Sequence, residues 1–87
     1  MLKLSTPESM ALLSDRRLHR TDLLVFAAIA VWKTNRPSRK RISLKCGMTF
    51  PNITRAIKRL VEFGYLTVQE EEGQTNTYAK GTTLTSI

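Results

Sequence analysis

The apolar residues of this chain change their period at Gly64, and that change limits the fold more than any other feature. In "TFPNITRAIKRLVEF" the side chains of Ile53, Ile57, Leu60 and Val61 recur at helical spacing and define one buried face. In "YLTVQ", immediately after the glycine, apolar and polar residues alternate and β-formers dominate, as in a strand. A second glycine, Gly47, stands just ahead of the helical stretch. Glycine commonly ends helices because it adopts the left-handed turn without a Cβ clash. The two glycines therefore bracket one helix, with another element closing at Gly47 and a strand opening after Gly64.

Thr49 is expected to cap the bracketed helix, with Pro51 in its first turn, where a missing N–H is harmless. Ser38 caps a preceding helix over 39–46, in which Ile42 and Leu44 are the apolar positions and Cys46 is read as a small core residue. Thr34 to Pro37 is a loop. Ahead of it, Thr21-Asp22 opens a strongly apolar helix over 22–33, the expected core helix, with Leu24, Phe26, Ala27, Ile29, Ala30 and Trp32 buried. Thr6-Pro7-Glu8 reads as N-cap, first helical residue and first-turn acid of a short helix over 6–14. On the C-terminal side, Gly73 to Asn76 forms a turn. Residues 77–80 return antiparallel to 65–69, so that Tyr65 and Tyr78 could pair across the hairpin. Residues 81–87 show little pattern.

The predicted fold is thus mainly α with a small β-hairpin: helices first, then a two-stranded antiparallel wing. Helix–turn–helix spacing over 38–63 followed by a wing over 65–80 is a winged helix-turn-helix arrangement. With 87 residues the chain suits one domain, 1–87, around a single core.

Charge is distributed as unevenly as hydrophobicity. The net charge is +7. Residues 1–32 contribute +1 and residues 62–87 contribute −3, whereas 33–59 hold nine cations and no acid. A basic block between neutral and acidic flanks is the electrostatic footprint of a polyanion partner. On the bracketed helix, Pro51, Asn52, Arg55, Lys58 and Arg59 fall on or near the face opposite the apolar stripe. Asn52 can meet adenine bidentately and Arg55 can meet guanine O6 and N7.

The segment "LLSDRRLHRTDLLVFAAIAVWKTNRPSRKRISLKCGMTFPNITRAIKRLVEFGYL", followed by "GQTNTY", resembles the winged helix-turn-helix domains of phage and plasmid replication initiators and related repressors. The likeness rests on Asp15 to Leu18, Pro37-Ser38, Gly47-Met48-Thr49, Arg55 to Ile57, Leu60, Gly64 to Leu66 and Asn76 to Tyr78, and covers about residues 10–80. It implies that the helix after the turn enters the major groove of double-stranded DNA. The chain departs from the pattern at Phe50-Pro51, where a thymine methyl becomes the expected contact. It departs again at Glu70-Glu71-Glu72, an acidic wing that could face away from DNA or meet a protein partner.

The candidate DNA-contacting residues are accordingly Thr49, Phe50, Pro51, Asn52, Thr54, Arg55, Lys58 and Arg59 on the recognition helix. Arg36, Ser38, Arg39, Lys40, Arg41 and Lys45 are the candidate phosphate anchors. Gln74, Thr75, Asn76 and Lys80 are the candidate wing contacts. The expected role is origin or operator recognition in a plasmid or phage, through replication initiation, segregation or local repression. The alternatives are a repressor unconnected with replication and a protein-interaction module using the acidic wing. Binding as monomers side by side on repeated sites is expected, since no heptad seam offers a dimer contact.

No enzyme is expected. His19 lies between basic residues, Asp15 and Asp22 sit at helix boundaries, and the glutamate run lacks a partner base or phosphate loop. With one cysteine, Cys46, there is neither an internal disulfide nor a thiolate metal cluster, and no metal or other cofactor is expected. No apolar run approaches the ~20 residues of a membrane span, and no secretory signal opens the chain, so a cytoplasmic location is expected.

Overall fold

The computed structural model describes residues 2–32, 37–70 and 76–86. Their elements, in chain order, are α1 (Thr6–Ser14), α2 (Arg20–Ala30), α3 (Arg39–Cys46), α4 (Phe50–Glu62), β1 (Leu66–Gln69), β2 (Thr77–Lys80) and α5 (Thr82–Thr85). The protein is therefore mainly helical with one antiparallel two-stranded hairpin, as the change of period requires.

Local chemistry accounts for most boundaries. At α3 the Ser38 hydroxyl accepts the Arg41 N–H at 3.2 Å, and Gly47 ends the helix in the left-handed region at φ 66°. The Ser43 hydroxyl donates to the Met48 carbonyl, and the Gly47 N–H donates to the Ser43 carbonyl at 2.8 Å, which fixes the turn into α4. Gly64 ends α4 with φ 81°. One cap and one helix start lie ahead of their expected places. Ser5, not Thr6, caps α1: its hydroxyl accepts from Glu8 N–H at 3.3 Å while the Glu8 carboxylate accepts from Ser5 N–H at 2.9 Å, a reciprocal box. In α2 the Asp22 carboxylate accepts the His19 N–H at 2.8 Å, so the helix opens at Arg20.

The core forms where α2 packs on α3 and α4, with the hairpin closing one side. Val25, Phe26 and Ile29 of α2 meet Ile42 of α3 and Ile53, Ile57 and Leu60 of α4, and Leu66, Tyr78 and Leu84 complete the cluster. Each large aliphatic side chain buried this way contributes ~1.5–3 kcal/mol. Rolling α4 off its stripe would forfeit several of these at once.

Several burial expectations need correction. Leu24 is 48% exposed and Ala27 faces solvent, because the inward side of α2 runs through Asp22, Val25, Phe26 and Ile29. Trp32 is half-buried. Val61 is 42% and Leu44 75% exposed; in each helix the neighbouring stripe already fills the interface. Cys46 is half-buried at the core margin, its thiol donating to the Leu24 carbonyl at 3.7 Å; desolvation pushes that thiol's pKa up.

The hairpin register pairs Leu66 with Lys80 and Val68 with Tyr78. Tyr65 and Tyr78 are therefore not partners. Tyr65 precedes β1, and its hydroxyl donates to Asp15 Oδ2 at 2.6 Å. Asp15 also accepts from Arg17 Nη2 at 2.7 Å, and the Arg17 guanidinium lies 4.2 Å from the centre of the Phe63 ring. Arg17 first and Tyr65 second hold the Asp15 carboxyl well below the usual carboxylate range. The α1–α2 turn is thereby tied to the start of the hairpin.

Residues 82–85 form α5. Leu84 enters the core, and the Thr83 hydroxyl donates to the Phe63 carbonyl at 2.8 Å. Gly81 makes this possible, since a Cβ there would lie 2.2 Å from the Gly64 carbonyl oxygen.

Candidate nucleic-acid interface

The outer face of α4 is set by what its inner face buries. Ile53, Ala56, Ile57 and Leu60 are all inside. That leaves Phe50, Pro51, Asn52, Thr54, Arg55 and Lys58 exposed. Thr49 caps the helix in extended conformation with no side-chain hydrogen bond to the helix, so its hydroxyl is not engaged in capping. Arg55 Nη1 donates to Asn52 Oδ1 at 3.3 Å, joining two candidate base contacts across one helical turn.

The start of α3 continues this surface. Arg39, Lys40 and Arg41 are exposed in its first turn, and Lys45 is exposed in its last. Arg39 Nη1 donates to Thr54 Oγ1 at 3.4 Å, so one guanidinium bridges the two helices. The same guanidinium neighbours Tyr78 of β2; desolvation pushes that phenol's pKa up, and the Arg39 charge works against it. Arg39 thus stands where α3, α4 and the hairpin meet. The six exposed cations Arg39, Lys40, Arg41, Lys45, Arg55 and Lys58 have no carboxylate at ion-pair distance among the described residues.

Two predicted site residues are committed elsewhere. Arg59 turns inward: its Nε and Nη2 donate to the two oxygens of Asp22 at 2.8 and 2.9 Å, and Asp22 is fully buried. The Asp22 carboxylate holds the Arg59 guanidinium above its ordinary pKa. Lys80 Nζ donates to Glu8 Oε2 at 2.8 Å, fastening β2 to α1. That ammonium and the Ser5 N–H lower the Glu8 pKa to about 2. Asn76 is half-buried beside Tyr78. Arg36, Gln74 and Thr75 lie outside the described residues, as do Glu71 and Glu72; Glu70 is exposed.

The Asp22–Arg59 pair has only a partial signal in the sequence. An acid three residues after His19 is the spacing of a helix-opening box, but nothing local identifies Arg59, 37 positions away, as its second partner. Among the described residues no cluster of histidine, cysteine or acidic side chains could hold a metal ion, and no helix is long and apolar enough to cross a membrane. Compared with protein-family models and with curated proteins, the chain matches neither.

Proposed function

We propose that this chain is a winged helix-turn-helix domain that binds double-stranded DNA sequence-specifically, with α4 in the major groove. The observation that carries the reading is the division of α4: a fully buried aliphatic stripe on one side and, on the other, Asn52, Arg55 and Lys58 displayed together. The cationic first turn of α3 adjoins that face through the Arg39–Thr54 contact, as a set of phosphate anchors flanking a base-reading helix would. Pro51 and the half-exposed Phe50 offer an apolar contact for a thymine methyl at the start of α4. The hairpin contributes shape and the Arg39 neighbourhood; Lys80 is held by Glu8.

The biological role that best suits the resemblance is origin or operator recognition in a plasmid or phage, in the cytoplasm, with no cofactor and no catalysis. If the six exposed cations each neutralise one phosphate, the logarithm of the binding constant falls against the logarithm of salt with a slope of about −5. A fluorescence-anisotropy titration on a duplex across a salt series measures this, and a slope near zero would sink the DNA reading. Footprinting the replication origin against the protein's own upstream region separates an initiator from a repressor. Arg55→Ala is expected to cost about 1–3 kcal/mol at a base contact. A protein-interaction module working through the acidic wing would lose nothing from that change.

A further inference from the structure

We infer that Asn52 and Arg55 read a single G·C base pair together, with Arg55 touching the guanine and Asn52 acting as the positioning residue that holds its guanidinium. The inference rests on the DNA-binding reading above and makes it more specific.

Three basic side chains lie on α4, and only one of them is a free planar fork. The Nε–H and Nη2–H edge of Arg59 is filled by the two oxygens of the buried Asp22. Lys58 is exposed but presents a point charge with no fixed donor geometry. Arg55 is exposed, and its Nη1 is anchored to Asn52 Oδ1 at 3.3 Å. A guanidinium can only donate, so the amide oxygen must be the end of Asn52 that faces Arg55.

That anchoring uses one edge of Arg55 and leaves the other open. With Nη1 engaged, Nε–H and Nη2–H still point in parallel, the same edge with which Arg59 grips its carboxylate. Two adjacent acceptors at matching separation are what guanine shows in the major groove through O6 and N7. Adenine instead needs an acceptor and a donor side by side; a guanidinium has no acceptor, and the Asn52 amide oxygen is turned towards Arg55. The two Cα atoms lie about 4.5 Å apart along the helix axis, from a rise of ~1.5 Å per residue. That exceeds the ~3.4 Å between stacked bases. Acting separately, the two side chains could address different base pairs; with Asn52 holding the guanidinium, Arg55 alone meets the base and the pair acts on one.

The two cases separate in one experiment. Duplexes are selected from a random-sequence pool by the unaltered chain, by Asn52→Ala and by Arg55→Ala. Both variants are expected to lose preference at the same G·C pair, Arg55→Ala by roughly 5- to 150-fold and Asn52→Ala by a smaller factor. Replacing that guanine with 7-deazaguanine, which lacks N7, should weaken the unaltered chain and leave Arg55→Ala unaffected. The inference is overturned if Asn52→Ala relaxes an A·T pair of its own and keeps the guanine preference intact. It is equally overturned if the pool is held with steep salt dependence but no G·C pair responds to both variants, an outcome that spares DNA binding itself. If no duplex is retained even at low salt, the DNA-binding reading fails and this inference with it.

Discussion

Arg59→Met is expected to destabilise the fold more than Asp22→Asn, although the two residues form one ion pair. Removing the guanidinium leaves a fully buried carboxylate whose one remaining described donor is the His19 N–H. Breaking a buried pair in this way costs about 3–5 kcal/mol, and this case belongs near the top of that range. Asp22→Asn retains an oxygen for the His19 N–H, and the Arg59 side chain, 30% exposed, can recover water. About 2 kcal/mol is a fair figure for it, near a lost charge-assisted hydrogen bond. Combining the two should cost well below the sum of the single changes, because Arg59→Met strands a buried charge that the double variant no longer carries. A domain of this size has a total stability of roughly 4–13 kcal/mol, so Arg59→Met brings it near the threshold of folding. Urea unfolding followed by circular dichroism reads the effect. With a slope of about 1–3 kcal/mol per molar urea, a cost near the top of that range lowers the Arg59→Met midpoint by roughly 1.3–5 M. Equal costs for the two single variants, or strict additivity in the double, would refute the argument. The salt slope on DNA offers an independent check, since Asp22 holds Arg59 and the slope of folded Arg59→Met should match that of the unaltered chain.

Acid sensitivity and turn geometry supply two further tests. The Glu8 pKa lies at about 2 in the folded chain against 4.5 unperturbed, so its contact with Lys80 stabilises above pH 4.5 and that contribution fades as the pH falls towards 2. Lys80→Met should therefore narrow the gap between urea midpoints measured at pH 5.5 and pH 2.5; an unchanged gap would exclude the contact as a source of acid sensitivity. Gly47→Ala should cost about 1–2 kcal/mol, the ordinary penalty for a left-handed alanine, since a Cβ there meets no atom within 4 Å. Gly64→Ala adds a Cβ placed 2.1 Å from the Thr83 hydroxyl and should cost more, with a larger fall in the urea midpoint than Gly47→Ala.

The elements most legible in the chain are those whose causes lie within a few residues. The Ser38 cap, the left-handed glycines at 47 and 64 and the switch from helical to alternating spacing each depend on neighbours along the chain. The same is true of Ile53, Ile57 and Leu60, whose common face follows from the helical repeat alone. The Ser5–Glu8 box has an equally local cause, but Thr6 ahead of a proline is the cap that local chemistry favours, and the box is settled only in the fold. Exposure on α2 was not readable. A helix apolar on nearly every side does not announce which side turns inward, and Leu24 loses that place to the side anchored by Asp22.

By itself, then, the sequence determined where α3 and α4 begin and end to within a residue, that a hairpin follows them, and that the helix after Gly47 carries its polar residues away from its aliphatic stripe. Only the tertiary structure decided which cations remain available on that surface. Arg59 and Lys80 are as basic as Arg55 and Lys58, but they meet Asp22 and Glu8, carboxylates 37 and 72 positions away. A short-range pattern encodes backbone geometry, whereas pairing of charges depends on which distant segments packing brings together. The same packing orders residues 82–85 into α5, where Leu84 gains a core that no local periodicity advertised.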